Sequence, residues 1–195
     1  PALAVSVYDD LALREFEDLD ILLRPQDVLS AKVLLQAQDY QPLFALKPAM
    51  EAAFLRSTRQ YHLVLVHGQS AVMVELHWMT DPESPVEPTA DDQWWASLET
   101  GELGGKEVRC FSPRELLLIL CLHGAKHYWA SLGWLVDVAE MIRQHPEMDW
   151  NWIMTKAQQL DCERRLAVGL LLAHRLLDAP LPEGILRRIG DNTEA

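Results

Sequence analysis

Apolar residues recur at three- and four-residue steps through positions 2–13, with Leu3, Val7, Leu11 and Tyr8 on one face, and predict a helix there. From Phe16 to Leu23 the period changes to two. Leu19, Ile21 and Leu23 fall on one side of a strand, and Asp18 and Asp20 project together from the other. Arg24-Pro25 ends that strand. A helix opening at Gln26 or Asp27 runs to Gln38 with Val28, Ala31, Leu34 and Leu35 turned inward, and another covers 48–58. Strands over 62–66 and 71–78 follow, joined by His67-Gly68-Gln69-Ser70, a length and composition suited to a hairpin. Pro82, Pro85 and Pro88 make 80–89 a loop; 101–105 reads as a second loop and 107–111 as a short strand at an edge of the sheet.

The pattern then becomes helical almost to the end. Ser112-Pro113-Arg114-Glu115 combines a capping box with proline at the first helical position, a strong helix start. Helices are predicted over 113–129, 133–144, 150–159, 162–177 and 183–189. Asp149 and Pro180-Leu181-Pro182 mark two of the junctions. The fold class is therefore α+β: a small mixed sheet with flanking helices, followed by a helical bundle. The domains are expected at 1–111 and 112–195.

Composition narrows the functional classes. With 195 residues, 49% apolar and 24% charged, the chain can bury a sizeable core and is not intrinsically disordered. Seventeen Lys and Arg against 29 Asp and Glu leave a net charge of −12. Such a surface disfavours long nucleic acids and anionic membranes as partners, though not a nucleotide that arrives with magnesium. The longest apolar run, Leu116–Leu122, falls well short of the roughly 18 residues of a membrane span. Cys110, Cys121 and Cys162 are odd in number and widely spaced, and read as free thiols of a reducing, cytoplasmic compartment. The chain starts at Pro1, inside a predicted helix and without an initiator Met, so the native protein is expected to extend upstream.

The informative segment is Arg14-Glu15-Phe16-Glu17-Asp18-Leu19-Asp20-Ile21. Two like charges side by side on an apolar strand repel and lose hydration unless a cation joins them or they face water. Magnesium suits the first case, because it takes hard oxygen ligands beside substrate phosphates. A solvent-facing edge strand is the plainer alternative. A third acid, Glu75, stands alone in Val72-Met73-Val74-Glu75-Leu76-His77-Trp78, where alternation puts Glu75 and His77 on the face opposite Val74 and Leu76. If that strand adjoins the first, the three acids converge.

The ordered set Asp18-Leu19-Asp20-Ile21-Leu22-Leu23, Val74-Glu75-Leu76-His77-Trp78, Leu122-His123-Gly124-Ala125-Lys126-His127 and Trp134-Leu135-x-Asp137 resembles a family of bacterial nucleotidyltransferases within the DNA polymerase beta-like superfamily. The resemblance implies a palm-like catalytic half with Asp18, Asp20 and Glu75 as the catalytic, metal-binding acids. Glu75 would also assist deprotonation of an acceptor hydroxyl. It further implies Mg²⁺ or Mn²⁺ as cofactor and an NTP such as ATP as substrate. Lys126, His123 and His127 would point from the helical half to contact nucleotide or acceptor. Two departures stand out. The family's phosphate-binding turn should end just before Pro1, and Glu17 replaces the small polar residue common in the superfamily.

Other candidates have competing roles. Arg14 is suited to substrate phosphate through its guanidinium fork, or to an ion pair with Glu15, Glu17 or Asp18. His123 and His127, four apart on a helix, have a spacing compatible with zinc; His123 could equally be a core histidine satisfied by a carbonyl. Asp137 lies amid apolar neighbours and needs a partner, for which Lys126 or His127 is expected, unless it is exposed. Trp78 and Trp129 fit a core better than a base-stacking platform. The expected activity is metal-dependent transfer of a nucleoside monophosphate to a small molecule, sugar or protein acceptor. The alternatives are a non-catalytic nucleotide-binding module of the same fold and a zinc hydrolase.

Overall fold

The computed structural model of the chain describes residues 2–8, 10–14, 16, 18–57, 59–79 and 92–191. The loop expected over 80–89 lies outside them, as do Glu15 and Glu17. The first elements are α1 (Ala2–Tyr8), β1 (Asp18–Leu22), α2 (Val28–Gln36), β2 (Tyr40–Pro42), α3 (Pro48–Leu55), β3 (His62–His67), β4 (Met73–His77) and α4 (Asp92–Ser97). After these come β5 (Glu99–Leu103), β6 (Lys106–Cys110), α5 (Pro113–Lys126), α6 (Leu132–Gln144), α7 (Trp150–Gln159), α8 (Glu163–Leu177) and α9 (Glu183–Asp191). The α+β class holds, with a small mixed sheet, flanking helices and a helical C-terminal part. No helix among the described residues is long and apolar enough to cross a membrane.

Two compact units divide the chain, Glu15–Ala96 and Ala2–Arg14 with Ser97–Ala195. The first holds the four-stranded sheet, ordered β1-β4-β3-β2, with β1 parallel to β4 and the other pairs antiparallel. Alternation along these strands gives the sheet one apolar face. Val28, Leu65, Val74, Leu76 and Trp78 are buried there, with Ala31, Leu35, Phe54 and Leu55 packed against them. Leu34 is not part of this core: at 69% exposed it points to solvent, because four inward positions make a stripe wider than α2 presents to the sheet. Trp78 is a core residue, edge-on to Phe54 at 5.9 Å.

The second unit is built on α5 and α8, around Leu117, Leu118, Cys121, Val138, Leu166 and Leu170. Helix α1 and the β5–β6 hairpin belong to this unit, α1 packing on α6 and β5. The strand expected at 107–111 is therefore not an edge of the main sheet. Its partner is β5, across a turn whose Gly104 and Gly105 both take positive φ. The helix expected over 2–13 stops at Tyr8 and is followed by a single 3-10 turn, Leu11–Leu13, capped by the Asp10 side chain accepting from Ala12 N at 2.8 Å. The predicted capping box starts α5. Glu115 accepts from Ser112 N at 3.1 Å, Ser112 Oγ at 2.9 Å and Ser97 Oγ at 2.7 Å, so this buried carboxylate is well supplied with donors. Helix α5 ends three residues early. Tyr128 and Trp129 take positive φ, and Trp129 folds back on Gly124, where a Cβ would lie 2.2 Å from its ring.

Candidate metal centre

Strand pairing decides which side chains meet. The parallel register of β1 and β4 sets Asp20 beside Glu75, Asp18 beside Met73 and Leu22 beside His77. The antiparallel register of β3 and β4 sets His62 opposite His77 and Val64 opposite Glu75. Since side chains alternate, Asp18, Asp20, Glu75, His77 and His62 all project from the face opposite the apolar core. Neighbouring Leu19, Val74 and Leu76 pack into that core and hold the polar residues in phase.

Asp18, Asp20 and Glu75 each offer an oxygen within 4.8 Å of the others. His77 Nε2 lies 2.8 Å from Asp20 Oδ1 and 3.1 Å from Glu75 Oε2. Both neighbours are carboxylates, so Nε2 carries the proton and donates to both. Burial alone would lower the pKa of His77, but its hydrogen bonds to Asp20 and Glu75 and their charges outweigh it and raise it to about 9. The imidazolium thus supplies positive charge to a face crowded with acids. His77's hydrogen bond in turn holds the Glu75 carboxyl below its ordinary range despite partial burial. Asp18 moves the other way, pushed up by burial and then by the charges of Asp20 and Glu75. Three carboxylate oxygens from two paired strands form a donor set that fits a hard divalent cation.

Arg14 pairs with Asp137, while Glu15 and Glu17, two of the ion-pair partners expected for it, lie outside the described residues. Its Nε donates to Asp137 Oδ1 and Oδ2 at 2.9 and 3.0 Å, and its Nη2 to Oδ2 at 2.9 Å. Tyr8 donates its hydroxyl to Asp137 Oδ1 at 2.8 Å; burial, and then this hydrogen bond, push the phenol well above its ordinary pKa. Asp137 is buried inside the helical unit, and a side chain so placed draws in the cation that can reach it with a fork of donors. Its partner is thus Arg14, not Lys126 or His127.

Lys126, His123 and His127 stand at the C-terminal end of α5. His123 is exposed, so it is not a core histidine. Its ring meets Trp134 edge-on at 5.3 Å, with the His127 ring 4.7 Å away. Among the described residues no third acid, histidine or cysteine joins this pair in a metal-ligand group. A residue not singled out from the sequence, His62, does join one, with Glu75 and His77. The signal was the hairpin itself, whose register carries His62 opposite His77.

Residues 1–178 match the sequence model of a family described as uncharacterised nucleotidyltransferases. The chain belongs to that family. No curated protein and no solved structure matches it.

Proposed function

We propose that the protein moves a nucleoside monophosphate from an NTP to a hydroxyl acceptor, using magnesium or manganese held by Asp18, Asp20 and Glu75. The observation that carries the reading is the convergence of these three carboxylates from paired strands, in a chain of a nucleotidyltransferase family. The bound ions would supply Lewis acidity to the reacting phosphate. In the reaction the acceptor oxygen bonds to the α-phosphorus, and the bond from that phosphorus to the bridging oxygen breaks. Pyrophosphate leaves with the electron pair, and the hydroxyl proton passes to solvent. Asp18 and Asp20 anchor one side of the centre from β1. Glu75 closes the other, ionised and oriented by His77. Lys126, His123 and His127 are the proposed nucleotide or acceptor contacts of the helical unit. Catalysis on this plan is positioning and charge stabilisation, without covalent participation by the protein.

The test offers each of the four NTPs with Mg²⁺ or Mn²⁺ to the full-length native protein and cell extract, and reads pyrophosphate and labelled product. Asp20→Ala is expected to lower turnover by at least about 10²-fold, the scale for removing one preorganised electrostatic group. Wild-type protein that binds nucleotide without releasing pyrophosphate, with binding retained in Asp20→Ala, would assign a non-catalytic nucleotide-binding module instead.

A further inference from the structure

Glu75 belongs to two ligand groups, and the second differs in kind. His62, Glu75 and His77 present two ring nitrogens and a carboxylate oxygen within 4.8 Å of one another. All three rise from one hairpin, so β1 and its aspartates contribute none of the donors. The two imidazoles stack with centroids 5.2 Å apart and planes inclined by 24°. Tyr61 flanks both rings, with centroids 4.3 Å from His62 and 5.7 Å from His77, and restricts their orientation. Glu75 Oε2 stands 3.1 Å from His77 Nε2 and 4.0 Å from His62 Nε2. Donors about 2.0–2.1 Å from a tetrahedral zinc lie roughly 3.3 Å from one another, so these two separations bracket what such an ion requires.

Donor chemistry separates the two groups further. Magnesium seeks oxygen and forms few bonds to imidazole, whereas zinc and its neighbours bind neutral imidazole readily. Two histidines and one carboxylate are also a common complement for a zinc site that keeps a coordination position open. Sequence spacing alone hides this set, since His62 lies on a different strand from the other two.

We propose that His62, Glu75 and His77 form a binding site for a borderline transition-metal dication of the zinc type, distinguished from the oxygen-only group by its two imidazoles and sharing Glu75 with it. The site does not depend on nucleotidyl transfer, because its ligands are complete without nucleotide or acceptor. Occupation would release the His77 Nε2 proton to the buffer, break the hydrogen bond to Asp20 and leave Glu75 common to both groups.

The experiment titrates the full-length native protein with zinc in a non-coordinating buffer without nucleotide, by calorimetry. It repeats the titration with cobalt(II), whose visible absorption reports tetrahedral nitrogen-containing coordination. Wild-type protein should bind about one equivalent of zinc. His62→Ala should weaken that binding at least ~tenfold and abolish the cobalt absorption, while Asp18→Asn leaves both within about twofold. Thermal unfolding without metal checks that His62→Ala is folded; if it is not, His62→Gln takes its place. The proposal is overturned if zinc does not bind, if His62→Ala binds it as wild type does, if Asp18→Asn loses it equally, or if His127→Ala rather than His62→Ala removes it. Since the readout is metal binding, its failure is distinct from absence of pyrophosphate release.

Discussion

Two sets of acids, one in each unit, are treated differently. In the helical unit, buried Asp137 is matched by the Arg14 fork and the Tyr8 hydroxyl, and buried Glu115 by two serine hydroxyls and a backbone amide. In the sheet unit, Asp20 and Glu75 both accept from His77, Glu75 also faces His62 Nε2 at 4.0 Å, and Asp20 remains exposed. Charges satisfied from within the chain hold the fold. Like charges gathered on one face repel one another, and a divalent cation bound among them would relieve that repulsion.

Three measurements break or sharpen this contrast. The largest effect is expected from Arg14→Ala, which strands the Asp137 carboxylate in the helical core. Urea unfolding should show a loss of about 3 kcal/mol, toward the lower end for a buried pair because Arg14 is a quarter exposed. A loss below about 1 kcal/mol would mean that Asp137 is adequately served without it. Asp18→Asn should behave in the opposite sense. It removes one of the crowded like charges, so the unfolding midpoint should rise by the equivalent of up to about 1 kcal/mol while pyrophosphate release is lost. A destabilised Asp18→Asn would place that acid with the structural ones. The smallest effect concerns His145, whose Nε2 is buried without a hydrogen-bond partner among the described residues. Burial, opposed in part by the charge of Glu99, holds its pKa below the ordinary 6.5, so the unfolded chain binds this proton more tightly. Its contribution to stability is full above pH 6.5 and is lost as pH falls through the lower folded value. His145→Gln should therefore flatten the fall in Tm as pH drops below 6.5.

Much of this was legible in the chain, and the gaps have physical causes. Asp18, Asp20 and Glu75 stood out because period-two alternation set each against apolar neighbours, and register then joined them. Strand β2 escaped because three residues ending in proline carry no period; its pairing to β3 makes it a strand. Strand β5 reads as polar loop around Gly101, and the β6 pattern says nothing about which partner it takes. The match of Arg14 to Asp137 spans 123 residues, beyond any local signal. Leu34 shows the converse error, an apolar residue counted inward where the helix faces solvent. The acids were visible because alternation is local, and their partners were missed because long-range pairing is not.

The two ligand groups also differ in the order in which the chain can make them. His62, Glu75 and His77 sit on strands that follow one another directly, so closing that hairpin needs little entropy. Asp20 must find His77 across 57 residues, and parallel pairing cannot be reached through a tight turn. The nitrogen-bearing group should therefore assemble early in folding. The all-oxygen group should appear only when the edge strand docks, a late event in the protein's maturation.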